Sequence, residues 1–282
     1  MLIRSIRKIF LMVNDSKQMK IALVQSALIW GDVAANLKNF DEQCKACQGC
    51  DVILLPEMFA SGCMMVKKAP EMAMAEKEKV AACYPAVEKA MCSWARRGDA
   101  LVVGSTACRE NGKYYNRLIA ALPDGTCFYY DKRHCFRGGG ENEHFVAGDR
   151  QLVIPFRGVR MAFFICYDLR FPVWCRNTQS YDVAVFVANW PESRREIWKA
   201  LLKARAIENQ AYVAGVNCVG MDNNGLSYAG DSTVVDARGR EVATLEPGQE
   251  GIIQTELDFV ALEQFREKFP VLSDRDRFSF TE

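Results

Sequence analysis

A four-layer α-β-β-α sandwich, with two mixed sheets packed face to face in a single α/β domain, follows from three features of this 282-residue sequence. Short apolar runs rich in Val, Ile and Phe alternate with longer stretches charged on one face, the pattern of buried strands and covering helices. Turn signals between some neighbouring runs require antiparallel pairs, so the sheets are mixed. No repeat, low-complexity tract or Pro/Gly/Ser linker divides the chain after Met19, which gives one domain over residues 19–282.

The elements are read in chain order. Strands are expected at Lys20–Gln25, Asp51–Leu55, Leu101–Thr106, Leu118–Leu122, Met161–Ile165, Val183–Ala188 and Ala211–Val216. Covering helices are expected at Asn36–Cys47, across Pro70–Arg97, and at Glu192–Asn209. Pro123-Asp124-Gly125 joins two strand-like runs, and Ala237-Arg238-Gly239 separates Ser232–Asp236 from Glu241–Thr244. So many strands with so few helices need two sheets, each covered on its outer face. Residues 1–18 are basic and partly apolar. Arg7 and Lys8 break the apolar stretch and no small-residue cleavage site follows, so an extension or upstream translation start is expected rather than a signal peptide.

Composition narrows the partners. The 36 basic and 35 acidic residues are interspersed and leave a formal charge of +1, without a basic stripe for nucleic acid or an anionic membrane. No apolar run reaches the roughly 18 residues of a membrane span. A small-molecule partner is expected. Twelve cysteines with ragged spacing, in a chain large enough to build its own core, read as reduced thiols of a cytoplasmic protein.

Four segments carry chemistry. In Ile53–Gly62 (ILLPEMFASG) an apolar strand ends at Pro56 and delivers Glu57 into a loop; taken alone, Glu57 reads as a surface carboxylate. In Phe128–Phe136 (FYYDKRHCF) Lys132 follows a strand-like run in the same way. In Phe163–Pro172 (FFICYDLRFP) a buried strand runs into Cys166, at the end of a strand where open α/β sheets place working residues. Free cysteines are commonly inert hydrophobes, and position is what separates Cys166 from the other eleven. In Val185–Pro191 (VFVANWP) Asn189 and Trp190 either line a pocket or cap the following helix.

A thiol, a carboxylate and an ammonium at three strand ends are the parts of amide hydrolysis through a thioester. The base takes the thiol proton, the thiolate attacks the carbonyl, and the cation stabilises the developing oxyanion. Rival readings are weaker. A papain-like enzyme needs a histidine partner for Cys166, and His134 and His144 lack that context. Cys44, Cys47 and Cys50 could bind zinc or an iron-sulfur cluster, but a buried helix face explains their spacing without a metal. A catalytically silent binding module leaves the three groups together unexplained.

LLPEMF, YDKRH and CYDLRFP, in this order and spacing, resemble the nitrilase superfamily of carbon-nitrogen hydrolases. CYDLRFPVWCRN, YDVAVFVANWPESR and LLKARAIENQAYVAGVN are similar to the bacterial omega-amidases of the YafV type. The resemblance implies Cys166 as nucleophile, Glu57 as general base, Lys132 as oxyanion-stabilising lysine and the Tyr167 N–H as second oxyanion donor. It also implies a second glutamate before Phe145-Val146-Ala147-Gly148, Glu141 on spacing with Glu143 as the alternative. A lysine beside two carboxylates stays protonated, and such a cation is expected to lower the thiol pKa. The implied substrates are dicarboxylate monoamides such as 2-oxoglutaramate and 2-oxosuccinamate, with N-carbamoyl amines, other aliphatic amides or nitriles as alternatives. A carboxylate on the substrate calls for a guanidinium, for which Arg170 is the candidate, its other reading being an ion pair with Asp168. Asn189 and Trp190 complete the expected binding residues. No cofactor or metal is implied. A homodimer is implied, packed through helices after Cys166 and from Glu192, with Phe265–Pro270 reaching across.

Overall fold

The computed structural model of the protein describes residues 18–63 and 70–280; the extension expected over residues 1–18 lies outside them except for Gln18, which already opens a strand. One six-stranded sheet is built from β1 (Gln18–Gln25), β2 (Val52–Leu54), β3 (Leu101–Glu110), β4 (Lys113–Ala121), β5 (Cys127–Asp131) and β14 (Gly251–Asp258), in the order β14-β1-β2-β3-β4-β5. The other has the order β13-β12-β9-β8-β7-β6, from β6 (Leu152–Phe156), β7 (Val159–Ile165), β8 (Val183–Ala188), β9 (Tyr212–Asn217), β12 (Thr233–Val235) and β13 (Glu241–Thr244). β10 (Val219–Met221) and β11 (Ser227–Ala229) form a small separate hairpin. β1–β2–β3 and β7–β8–β9 run parallel and the remaining pairs antiparallel, including both expected turns, β4–β5 and β12–β13.

Both faces of the central strands are covered, which is why these strands read as unbroken apolar runs. In β1, Ile21 and Leu23 enter the core between the sheets, while Ala22 and Val24 face the outer helices. Helices α1 (Val33–Ala46) and α3 (Tyr84–Gly98) pack Phe40, Cys44, Val87, Met91 and Trp94 onto that outer face. The Asp32 side chain caps α1 by accepting from Ala35 N at 3.0 Å. On the second sheet, α5 (Arg195–Asn209) lays Trp198 and Leu202 so close to β9 that a Cβ on Gly215 would come within 2.6 Å of Leu202. Glycine is the residue this contact permits.

The structure revises several expected boundaries. Pro70–Arg97 is two helices, α2 (Pro70–Ala82) and α3, separated at Cys83; Pro85 lies in the first turn of α3, where its missing N–H costs nothing but where it cannot continue a preceding helix. Glu192–Arg194 is a 3-10 turn that leads into α5. β6 escaped the sequence pattern because Pro155 interrupts it, and it sits at the sheet edge, where a proline removes no ladder bond. Phe265–Lys268 end α6 (Phe259–Lys268), because the Asp258 cap and the inward Phe259 and Leu262 define a helix there. Cys44, Cys47 and Cys50 are buried in the outer core, and no metal-binding cluster occurs among the described residues.

Candidate active site

Four loops meet at one end of the sandwich, each leaving the C-terminal end of a strand: Glu57 after β2, Lys132 directly after β5, Cys166 directly after β7 and Asn189 directly after β8. A fifth group, Glu141, comes from the one-turn helix α4 (Glu141–His144). All five are buried. Glu143, the alternative second glutamate, is exposed.

Lys132 is held between the two carboxylates. Its Nζ donates to Glu57 Oε1 at 2.7 Å and to Glu141 Oε1 and Oε2 at 3.0 and 2.8 Å. Asn116, which sequence reasoning missed, joins the same cluster from β4: its Nδ2 donates to Glu57 Oε1 at 2.8 Å and Glu141 Oε1 at 3.1 Å. Its backbone carbonyl also accepts from Lys132 N at 3.0 Å. The available signal was a carboxamide inside a strand, where asparagine is disfavoured unless it has a task. Glu57 Oε1 is thereby filled by two donors, whereas Oε2 accepts the Asn189 backbone N–H at 2.9 Å, and the Cys166 thiol also hydrogen-bonds to the Glu57 carboxylate. The free lone pair for proton transfer belongs to Oε2.

The electrostatics follow from burial and charge. Burial works against the Lys132 ammonium, but the Glu141 and Glu57 carboxylates outweigh it and push its pKa well above the ordinary lysine value. Cys166 behaves opposite to expectation. Burial, then the negative charge of Glu57, drives its thiol pKa well up, and Lys132 offsets this only in part. One lysine cannot neutralise two carboxylates, so the cluster is anionic and disfavours a second negative charge on sulfur. The resting nucleophile is a protonated thiol beside a base.

The backbone fixes these groups. Cys166 has φ +44° and Met58, next to Glu57, has φ +46°, a left-handed conformation that non-glycine residues adopt at a cost of about 1 kcal/mol or more. Each bend throws its neighbouring strand end sharply into the site. Buried Asp168 ties the lysine loop to the cysteine turn by accepting from His134 N and Ile165 N, both at 3.0 Å, and from Tyr130 OH at 2.6 Å. Its partners are thus not Arg170. Gly148 donates to Lys132 O at 2.9 Å, and a Cβ there would stand 2.2 Å from the Asp131 carbonyl oxygen. Tyr167 is the second residue of a 3-10 turn, Cys166–Arg170, so its N–H has no acceptor within the turn.

These residues surround a cavity of about 70 Å³ lined by Glu57, Lys132, Glu141, Cys166 and Tyr167 at its chemical end, with Arg170, Trp190, Arg194 and Phe136 along its wall. The loops 60–66, 137–144 and 190–195 also reach the lining, through Cys63, Gly139 and Pro191, with residues 64–66 lying outside the described residues. The Arg170 guanidinium lies 5.3 Å over the Trp190 ring. Trp190 lines the cavity. Asn189 is not among the lining residues; its carboxamide is buried with neither polar atom hydrogen-bonded among the described residues, and its backbone N–H serves Glu57.

Residues 20–267 match the carbon-nitrogen hydrolase family. An omega-amidase YafV of Yersinia enterocolitica is 46% identical over 260 residues, which cover 92% of this chain and 98% of that protein. A 2-oxoglutaramate amidase of Bacillus subtilis (strain 168) is 34% identical over 261 residues, 90% of this chain and 96% of its own. The crystal structure of a CN-hydrolase superfamily protein from Xanthomonas campestris, described with an arsenic adduct in its active site, superposes with a TM-score of 0.87 at 38% identity, covering 94% of this chain and 99% of that one.

Proposed function

Because the chain belongs to the carbon-nitrogen hydrolase family, we infer from its site that it is an omega-amidase, converting dicarboxylate monoamides such as 2-oxoglutaramate and 2-oxosuccinamate to the dicarboxylate and ammonia. The observation that carries this reading is a protonated thiol, its base and a fixed cation at one end of a small cavity whose wall carries guanidinium groups.

The reaction starts with the substrate amide against Cys166. Glu57 Oε2 takes the thiol proton as sulfur bonds to the carbonyl carbon, so the negative charge passes to the carbonyl oxygen and is never stored on sulfur. Lys132 and the Tyr167 N–H stabilise that oxyanion. The C–N bond then breaks, and ammonia leaves with the proton Glu57 carried. Water enters, Glu57 takes one of its protons, the hydroxide adds to the thioester, and the C–S bond breaks as the proton returns to sulfur. Glu141 and Asn116 stay outside the proton traffic and hold Lys132 and Glu57 in place. Arg170 receives the substrate's free carboxylate; its stacking on Trp190 and the absence of a bond to Asp168 support this over a local ion pair.

A homodimer is part of this reading. Val173, Ile197, Ile207 and Phe269 are large apolar side chains exposed after Cys166, along α5 and just past α6, and a second copy would cover them. All twelve cysteines are free thiols, which supports a cytoplasmic setting. No helix among the described residues is long and apolar enough to cross a membrane.

The test is ammonia release from 2-oxoglutaramate, 2-oxosuccinamate, an N-carbamoyl amino acid and a simple nitrile, with Cys166→Ala as blank. Cys166-dependent turnover confined to the oxo-acid amides supports the reading. Preference for either other compound moves the substrate, and silence on all four overturns the amidase.

A further inference from the structure

Two arginines face the cavity and neither is neutralised. Among the described residues no carboxylate pairs with the guanidinium of Arg170 or Arg194, and no side-chain hydrogen bond engages either; each lies over an aromatic ring instead, Arg170 over Trp190 and Arg194 over Phe136 at 5.0 Å. Stacking holds a guanidinium in place while leaving its in-plane N–H donors free. Other arginines near this region are committed: Arg195, the next residue, is paired with Asp231 through two bonds of 2.9 and 2.7 Å. Arg194 itself is fixed by its backbone, since its carbonyl accepts from Trp190 Nε1 at 2.9 Å. The indole that carries Arg170 thus also anchors the turn that presents Arg194.

The cavity is therefore polarised. Its chemical end holds two carboxylates and one ammonium, and its wall holds two unpaired positive charges in a volume of about 70 Å³. A single substrate carboxylate needs one bidentate guanidinium. A second unpaired guanidinium in the same lining repels a cationic substrate group and can donate a hydrogen bond to an oxygen acceptor.

We propose that Arg194 is a specificity-determining residue that admits 2-oxo acid monoamides and rejects the corresponding 2-amino acids, glutamine and asparagine, by repelling their α-ammonium. This rests on the amidase reading above and deepens it. Both compound classes have the same length and the same terminal amide, so the selection acts wholly at the 2-position. Because the amide end is untouched, Arg194 sets the choice of substrate without touching the reacting atoms.

The experiment compares kcat/KM for 2-oxoglutaramate, glutaramate (unsubstituted at C2) and glutamine in the parent, Arg194→Glu and Arg194→Lys enzymes. Reversing the charge is expected to lower the 2-oxoglutaramate-to-glutamine ratio by about tenfold or more, since like-charge contacts in a recessed site cost on this order. Arg194→Lys keeps the charge and is expected to keep glutamine excluded while weakening 2-oxoglutaramate through KM. Glutaramate is expected to change less than either in Arg194→Glu. An unchanged ratio in an Arg194→Glu enzyme that still hydrolyses glutaramate overturns the role of Arg194 and leaves the amidase standing. A parent enzyme that hydrolyses none of the three monoamides overturns both.

Discussion

Asn116 Nδ2 stands 2.8 Å from Glu57 Oε1, the oxygen of the base that also accepts from Lys132. With Lys132 Nζ also on Oε1 at 2.7 Å, the proton is confined to Oε2. Asn116→Ala removes a donor from two buried carboxylates. The kcat should fall by about tenfold or more for the loss of one buried charge-assisted bond, while KM changes little because Asn116 is not among the residues lining the cavity. Asn116→Gln should recover part of the rate. A kcat per folded molecule equal to the parent's would assign Asn116 to folding alone.

Lys132→Met leaves Glu57 and Glu141 buried around a gap that held their shared cation. Breaking a buried ion pair on one side costs about 3–5 kcal/mol, so urea unfolding at pH 7 should show a loss of this size alongside the loss of turnover. Lys132→Arg keeps a cation between the two carboxylates and should lose less stability than Lys132→Met. Equal destabilisation by the two variants would contradict the geometry.

The readable parts of this protein were those set by local pattern. Strand ends at Glu57, Lys132 and Cys166 stood out because an apolar run stopping at a polar residue is visible in sequence, and all seven anticipated strands are present. Asn116 was hidden because one amide in a strand looks like a tolerated exception; only the pairing of β4 with β5 brings it under Lys132. Spacing favoured Glu141 and left Glu143 open, since the two differ in which side of a single helical turn they occupy; burial then separates them, Glu141 lying inside and Glu143 exposed. The sign of the Cys166 shift was misread because it depends on the balance of one cation against two carboxylates and on depth, neither of which has a sequence pattern.

That raised thiol has two measurable effects. Between pH 6 and 9 most of Cys166 stays protonated, so its alkylation by iodoacetamide in substrate-free enzyme should be slow at neutral pH and accelerate as pH rises. Folding responds with a definite sign. The unfolded thiol ionises near 9.0 and the folded one does so only well above it, so this group's contribution is intact below 9.0 and is lost as pH climbs past that value, at up to about 1.4 kcal/mol per pH unit. Cys166→Ala should therefore lose less stability than the parent between pH 9 and 10.5, besides having no turnover. Fast alkylation at pH 6 would show a resting thiolate and overturn the protonated-thiol mechanism.

Arg170→Lys distinguishes a carboxylate clamp from a structural stack. The planar guanidinium both covers Trp190 and offers two parallel N–H groups to a carboxylate, whereas a lysine ammonium keeps the charge and loses the fork. For a substrate with a free carboxylate, KM should rise by about tenfold while kcat changes little, because the contact is equally present in ground and transition states. For an uncharged amide of similar length, KM should hardly move. If Arg170 only props Trp190, both substrates must suffer alike, since a displaced indole reshapes the cavity for each of them. Comparing the two KM ratios in one preparation separates these outcomes without any assumption about absolute rates.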